Sequence, residues 1–292
     1  MICRLCENEI SEPQVLRGVI SPWIRELAKV STRLTELVIC SECFGAAFTV
    51  TYDLQTMFKI YSEYRGENYT SIRNKWEKWY TSAYNDGHST QVYVNNRKTS
   101  ISQFLTSQGV NKVETILDVG GDRGQYIPDF PNSTQKFLLD ISNNDLIFGV
   151  TRISDLADIS GVDLLIFTHI LEHLNEPILE IEKLMSYTKF LYIEVPYGVP
   201  YSTKYRKSRI FQTMSLLASV VPFIWSGFSR ASAGRKTFSK ILRQSEHLNF
   251  FTPYYFDLIG QKLNLETRVQ ISTMASPDST ASEVIQVLFC KK

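Results

Sequence analysis

The sequence predicts an α/β protein with a doubly wound, mostly parallel sheet, preceded by a small metal-binding module. Three observations lead to this prediction. Four short apolar runs between residues 113 and 195 alternate with helical patterns. A glycine-rich turn follows the first of these runs, at residues 120–124. Two closely spaced pairs of cysteines lie within the first 50 residues.

The composition is that of an ordinary globular protein. The chain has 292 residues, is 43% hydrophobic and carries a formal net charge of +1. This near balance creates no field that would attract a polyanion, so we expect no nucleic-acid partner. The first residues do not read as a secretion signal, and the longest apolar stretch, residues 216–225, is about half of what a bilayer span needs. We therefore expect a cytoplasmic protein without a transmembrane segment.

The cysteine pairs predict a structural zinc site. Cys3 and Cys6 form one Cys-x-x-Cys pair, and Cys40 and Cys43 form another. Each pair can place two sulfurs on one metal, and two pairs complete a tetrahedral four-thiolate site with no position open to water. The alternatives are four unrelated cysteines or a redox pair. The paired spacing and the lack of a thioredoxin-like context favour zinc.

The composition divides the chain into three regions. Residues 1–50 are the predicted zinc-binding module, residues 51–110 a helical, aromatic connecting region, and residues 111–292 the α/β domain. Aromatic residues crowd the connecting region, where they could bind a sugar or nucleotide diphosphate, or form the seam between two domains. They are Tyr61, Tyr64, Tyr69, Trp76, Trp79 and Tyr80.

The strands are predicted from runs that are continuously apolar. "TILDV", "KFLLDI", "DLLIFTH" and "KFLYIEV" do not alternate with polar residues, as expected of parallel strands that are covered on both faces. Thr252-Pro253 predicts the start of a helix that runs to about Leu263. "LETRVQIS" and "EVIQVLF" follow, with a polar loop between them, and predict an antiparallel edge.

The turn "ILDVGGDRG", residues 116–124, predicts a cofactor site. Gly120, Gly121 and Gly124 would let the backbone approach a ligand closely. Asp122 would repel a pyrophosphate, and the dinucleotide-binding register is absent. S-adenosylmethionine fits better, because it has no phosphate and carries a cationic amino group and a sulfonium that could lie near Asp118. These residues could also be simple turn residues of another protein with a similar fold.

A second acidic residue extends this site. Asp140 closes the next predicted strand, about 20 residues after Gly120, where a carboxylate can accept both hydroxyls of a ribose. Asp155 and Thr168 are further candidates. The predicted cofactor-binding set is Asp118, Gly120, Gly121, Gly124, Asp140, Asp155 and Thr168.

Two later segments carry a family resemblance. "DLLIFTHILEHLNEP", residues 163–177, and "EHLNFFTP", residues 246–253, resemble the class I S-adenosylmethionine-dependent methyltransferases of sugar and surface-polysaccharide pathways. Some of these, the sugar C-methyltransferases, also begin with a four-cysteine zinc module. The resemblance covers that module and residues from about 113 to 290. It implies a Rossmann-like seven-stranded sheet whose last strand is antiparallel. This chain departs from the family at Asp122, which replaces the usual middle glycine.

The candidate catalytic residues are His247, Glu246 and His169. In this fold the acceptor pocket lies beyond the carboxyl ends of the strands, which brings these three residues near the methyl group. His247 is the predicted base and Glu246 its orienting partner; the resemblance implies the same pair, since sugar C-methyltransferases use a histidine that follows a glutamate here. His247 could instead pack against the sheet. Glu172 and His173 are predicted to support the fold.

The function predicted from these features is methyl transfer to a small-molecule acceptor, a sugar or a nucleotide-linked sugar. The alternatives are a phosphorylated or other small metabolite as acceptor, and a non-catalytic scaffold that binds the cofactor. The segment 201–240 is predicted to be a lid-like insert. Its residues 211–240 could instead make a peripheral membrane contact.

Overall fold

The computed structural model describes residues 1–62, 64–131, 135–142, 144–198, 213, 217–230, 242–275 and 281–292. Most of the predicted insert at 201–240 therefore lies outside the described residues. Within the described parts of the chain, no helix is long and apolar enough to cross a membrane.

The described residues form twelve strands and eight α-helices. The strands are β1 (Gln14–Ile20), β2 (Leu34–Ile39), β3 (Ala46–Phe48), β4 (Thr115–Val119), β5 (Gln135–Leu139), β6 (Val150–Arg152), β7 (Val162–Thr168), β8 (Thr188–Pro196), β9 (Arg243–Gln244), β10 (Asn249–Phe250), β11 (Leu265–Ala275) and β12 (Ala281–Lys291). The helices are α1 (Pro22–Ala28), α2 (Leu54–Tyr61), α3 (Glu67–Trp76), α4 (Ser82–Gly87), α5 (Gln91–Ser107), α6 (Pro177–Ser186), α7 (Pro222–Arg230) and α8 (Pro253–Lys262).

Seven strands form the main sheet, in the order β11-β12-β8-β7-β4-β5-β6. Strands β4 to β8 are parallel to their neighbours in this group, whereas β12 is antiparallel to both β8 and β11. This confirms the predicted seven-stranded sheet with an antiparallel last strand. The four apolar runs are β4, β5, β7 and β8, and the predicted pair at the end is β11 and β12.

Both faces of the main sheet are buried, which explains the continuous apolar runs. Leu165 and Phe167 of β7 point into a core cluster that also holds residues of α6 and α8. Leu164 and Ile166 of the same strand point to the opposite face, where they meet residues of α5. No helix forms directly after β4, and residues 122–126 make turns.

A second sheet joins the N-terminal strands to residues 243–250. Its order is β10-β3-β2-β1-β9, so three N-terminal strands are flanked by two short strands from residues 243–250. Val19 of β1 pairs with Arg243, and Ala46 of β3 pairs with Phe250. The segment that contains Glu246 is thereby held at both of its ends. The division into three regions remains a prediction.

The aromatic residues of the connecting region are mostly packed. Tyr69 and Tyr80 are buried with Trp23 of α1 and with Leu248, in one cluster. The side chain of Arg73 lies among these rings, 4.1 Å from the centroid of Tyr80. Much of this stretch therefore packs against α1 and the segment after β9.

Candidate active site

The carboxylate of Asp118 lies at the carboxyl end of β4 and is completely buried. Among the described residues, neither of its oxygens has a hydrogen-bond partner. Burial and, next, the charge of Asp140 raise the pKa of Asp118 to about 7. A buried carboxylate without a donor is costly, and a cationic ligand group at this position would offset that cost.

The glycine turn packs closely against this carboxylate. A Cβ on Gly121 would overlap the side chain of Asp118, and a Cβ on Gly120 would overlap Ile170. Gly124 has a φ of 77°, and Asp122, with a φ of 59°, also adopts the left-handed conformation. Aspartate is among the few residues other than glycine that tolerate this region, which explains how it can stand at the usual glycine position.

Asp140 braces the same turn from the neighbouring strand. Its Oδ2 accepts a hydrogen bond from the N–H of Asp122 at 2.8 Å, and its Oδ1 accepts one from the N–H of Ser142 at 2.6 Å. The carboxylate of Asp122 instead accepts hydrogen bonds from Asn144 at 2.6 Å and Gln125 at 3.3 Å. The side chain of Asp122 is therefore held by its own neighbours.

The other two cofactor candidates lie in different surroundings. Asp155 is exposed and caps a short 3-10 helix, where its side chain accepts a hydrogen bond from the N–H of Ala157 at 2.8 Å. Thr168 is buried at the end of β7, beside Glu194 of β8. The structure thus gathers Asp118, the three glycines and Asp140 around one turn, and gives Asp155 a capping contact.

His169 directly follows β7 and contacts a buried ion pair. Its Nε2 lies 3.1 Å from Oε1 of Glu194 and 3.1 Å from Nη1 of Arg97. Arg97 and Glu194 are themselves 2.7 Å apart and buried. Burial lowers the pKa of His169, but the adjacent carboxylates of Glu172 and Glu194 outweigh this and raise it above its ordinary value.

The carboxylate of Glu246 pairs with an arginine rather than with His247. Its Oε1 lies 3.2 Å from Nη1 of Arg73, and Nε of Arg73 lies 3.1 Å from Glu77. Between the described atoms of Glu246 and His247 we find no hydrogen bond. The predicted orienting partner of His247 is therefore engaged elsewhere.

His247 lies instead beside Glu172 and His173. The rings of His173 and His247 have centroids 4.8 Å apart, and one potential ligand atom from each of the three residues lies within 4.8 Å of the others. Burial and, next, the charge of His173 lower the pKa of His247 to about 4, so its imidazole is neutral at pH 7. Glu172 and His173 were expected only to support the fold, yet they share this site.

The ion pairs of two arginines of the site were not predicted from the sequence. Arg73 lies on α3 and Arg97 on α5, and each is buried beside a glutamate that is distant in the chain. Nothing in the local pattern distinguishes them from ordinary polar positions of a helix. Such arginines stand out only as charged residues on a buried helix face, and that face can be recognised only once the packing of the helix is known.

The four cysteines form a compact cluster that suits one metal ion. Sγ of Cys3 is 3.9 Å from that of Cys43, Sγ of Cys6 is 3.8 Å from that of Cys40, and all four sulfurs lie within 4.8 Å of one another. All four are buried and none forms a disulfide. A tetrahedral zinc with bonds of about 2.3 Å separates its sulfurs by about 3.8 Å. The cluster therefore fits zinc.

Direct contacts link this cluster to the segment around His247. Arg4, between the first two cysteines, donates a hydrogen bond to Oδ1 of Asn249 at 2.7 Å. Thr252, the N-cap of α8, donates one to the carbonyl oxygen of Cys43 at 2.8 Å. The cysteine cluster thus holds the strand that follows His247.

Comparison with known proteins gives similarity only among solved structures. No protein-family model matches the sequence, and no curated protein matches it. The chain is similar to the plantazolicin methyltransferase BpumL in complex with SAH, at 13% identity and a TM-score of 0.42, over 75% of this chain and 95% of that chain. It is similar to the methyltransferase domain of bacterial CtHen1-CN, at 13% identity and a TM-score of 0.39, over 67% and 97%. A cyclopropane-fatty-acyl-phospholipid synthase-like protein from Lactobacillus casei ATCC 334 gives 10% identity and a TM-score of 0.40, over 68% and 91%.

Proposed function

We propose that the protein is an S-adenosylmethionine-dependent methyltransferase that acts on a small-molecule acceptor, a sugar or a nucleotide-linked sugar. The buried, unpartnered carboxylate of Asp118 carries this proposal. It lies beneath a glycine turn at the carboxyl edge of a parallel sheet, which is where such folds bind ligands. A ligand with a cationic amino group supplies the partner that Asp118 lacks, and the absence of a side chain at Gly121 lets the turn lie close to this carboxylate.

The predicted cofactor fits the remaining residues of the turn. Each oxygen of Asp140 accepts one backbone N–H and has capacity for one more donor, as the two hydroxyls of a ribose require. When bound, S-adenosylmethionine supplies a methyl group that its sulfonium has already activated. The residues of the chain then have to position the acceptor and to help its proton leave. Thr168 and Asp155 stay in the proposed cofactor set.

We place the acceptor beside His247 and His169. His169 directly follows β7, and its side chain is 37% exposed. His247 lies beside Glu172 and His173, which follow β7 as well. His247 can act on an acceptor hydroxyl in two ways. Its neutral imidazole can take the proton directly, or it can bind a cation that polarises the acceptor oxygen. Glu246 then serves to position His247 through its ion pair with Arg73.

The sugar acceptor is supported by the resemblance of the two motifs at 163–177 and 246–253, together with the polar character of this site. The cysteine cluster is proposed to hold one structural zinc, which fixes the strand after His247. A peripheral membrane contact through 211–240 also stays a proposal. Phe223, at the start of the described helix α7, is 88% exposed.

Calorimetry with S-adenosylmethionine and S-adenosylhomocysteine tests the cofactor assignment. We expect binding of both by the wild-type chain and much weaker binding by Asp118→Asn. Asp163→Asn serves as a control, because Asp163 lies at the start of β7, at the opposite edge of the sheet from Asp118. Transfer of a labelled methyl group to a panel of nucleotide sugars then tests the acceptor. A folded wild-type chain that binds neither ligand would contradict the proposal, whereas one that binds both ligands but methylates no acceptor would favour the scaffold.

A further inference from the structure

Like Asp118, Glu172 is a buried acid whose carboxylate lacks a hydrogen-bond partner among the described residues. The residue is 1% exposed, and neither oxygen has such a partner among the described residues. Two imidazole nitrogens face Oε1: Nδ1 of His169 at 3.4 Å and Nε2 of His173 at 3.9 Å. His247 completes the group. Three of the four histidines of the chain therefore surround one carboxylate.

The hydrogen bonds of His173 indicate which nitrogen is free. Its Nδ1 lies 3.0 Å from the carbonyl oxygen of Glu246 and 2.8 Å from the hydroxyl of Tyr61. A carbonyl oxygen can only accept, so the tautomer that satisfies it carries the proton on Nδ1. Nε2, on the side of Glu172, then has a free lone pair. A histidine that donates one N–H to a carbonyl and presents its other nitrogen has the usual arrangement of a metal ligand.

The position of His247 is fixed by the second sheet. The residue lies between β9 and β10, each of which pairs with an N-terminal strand. Leu248, the next residue, donates its N–H to the carbonyl oxygen of Glu172 at 2.8 Å. The backbones of Glu172 and His247 are therefore tied together. The half-buried ring of His247 meets the ring of His173 without a hydrogen bond of its own among the described residues.

We propose that Glu172, His173 and His247 bind a divalent transition-metal ion that is distinct from the zinc of the cysteine cluster. Protonation of His173 or of His247 could neutralise Glu172, but protonation of both adjacent rings is unfavourable. A bound cation instead uses both imidazoles in their neutral form. Two imidazoles and one carboxylate suit ions such as Mn²⁺ or Fe²⁺, which prefer nitrogen and oxygen ligands to thiolates. Three protein ligands leave positions open for an acceptor oxygen.

The catalytic role of this ion rests on the proposed methyltransferase function. A hydroxyl that binds to a divalent cation is more acidic than a free hydroxyl, and its proton can pass to water at neutral pH. His247 then acts as a ligand of the cation rather than as a free base. His169, whose Nδ1 faces the same carboxylate, borders the site on its exposed side.

Titration with Mn²⁺ tests the site, using full-length protein that contains one equivalent of zinc. The electron paramagnetic resonance signal of free Mn²⁺ measures binding, and pulsed measurements detect nitrogen of coordinated imidazoles. We expect one Mn²⁺ per chain with nitrogen coupling, and at least about ten-fold weaker binding in Glu172→Gln and in His247→Gln. His88→Gln is the matched control, because His88 bonds to the carbonyl oxygen of Tyr84 outside the cluster.

Each outcome separates the two proposals. A zinc-loaded wild-type chain that binds S-adenosylhomocysteine but neither Mn²⁺ nor Co²⁺ overturns the cation site and leaves the methyltransferase proposal intact. Binding of Mn²⁺ without nitrogen coupling, or undiminished binding in Glu172→Gln, also overturns it. A chain that binds Mn²⁺ as expected but no S-adenosyl ligand overturns the proposed function alone. The wild-type measurements decide the question even where the His247 variant fails to fold.

Discussion

The charge of Asp118 depends on pH near neutrality, because the protein buries this carboxylate without a donor. Its pKa is raised from 3.8 to about 7, first by burial. Between these two values the folded protein keeps a proton that the unfolded chain has lost. The free energy of unfolding therefore falls as the pH rises through this window. The cost is fully present above about pH 7, where the ionised form is also the one that attracts a cationic ligand.

Replacing Asp118 should consequently stabilise the free protein and impair its proposed function. We expect Asp118→Asn to melt at a higher temperature than the wild type at pH 8, and the difference to shrink at pH 5. Affinity for S-adenosylmethionine should fall by about 1.5–3 kcal/mol, the usual contribution of a hydrogen bond to a charged group. Calorimetric melting at both pH values, with and without ligand, measures both effects. An equal melting difference at the two pH values would contradict this account.

Asp140 and Asp122 should differ in their effect on the cofactor. Asp140→Ala removes the acceptor proposed for the ribose and also the bond to the N–H of Asp122, so we expect binding weakened by about 1–3 kcal/mol. Asp122→Gly should change binding by less than about 1 kcal/mol, since glycine readily adopts its φ of 59°. Calorimetric titration of the two variants is the measurement. Loss of binding in Asp122→Gly would show that its carboxylate touches the ligand.

Sequence reasoning found residues whose role is visible in a short stretch of chain. The glycine turn and the cysteine pairs are local patterns, and the structure brings each of them together. The partner of Glu246 could not be found this way, because Arg73 is 173 residues away in sequence. The pairing of Arg73 with Glu246 depends on how α3 packs against the segment after β9. Glu172 and His173 were predicted only to support the fold, because their proximity to His247 depends on the tertiary structure.

At the scale of secondary-structure elements, burial on both faces made strands β4, β5, β7 and β8 predictable. Strand β6 was missed because Val150–Arg152 has three residues, of which the middle one is exposed. The short strands β9 and β10 were missed for a related reason. Two residues cannot carry a periodicity, and their pairing partners lie near the other end of the chain.

A buried network of ion pairs connects helix α3 to the segment after β9. Removing this network should lower the free energy of unfolding. Arg73 pairs with Glu77 and Glu246, and Arg243 pairs with Glu77 as well. Arg73→Leu leaves two buried carboxylates short of a counter-charge, so we expect a loss of about 3–5 kcal/mol in the free energy of unfolding. Urea denaturation measures it, with the exposed Arg17→Leu as control. A loss no larger than that of the control would show that solvent reaches the pair.

For the molecule as a whole, the stabilising effect of the zinc is expected to extend beyond the first 50 residues. Cys40→Ser should remove about one equivalent of zinc and destabilise the N-terminal sheet, because metal binding and folding are coupled at such sites. Since this sheet includes β10, the segment with His247 should also lose order. Elemental analysis and hydrogen exchange of residues 243–250 measure the two effects. A folded, active, metal-free protein would contradict this prediction.

The second sheet also has a consequence for synthesis of the chain on the ribosome. All four cysteine ligands emerge early, so metal can bind while most of the protein is still unmade. The outer edges of β1 and β3, however, wait for residues 243–250. Until then both strands expose unpaired backbone groups, which are templates for aggregation. Nascent chains stalled before residue 243 should therefore depend on chaperones, and adding the next dozen residues should relieve that dependence.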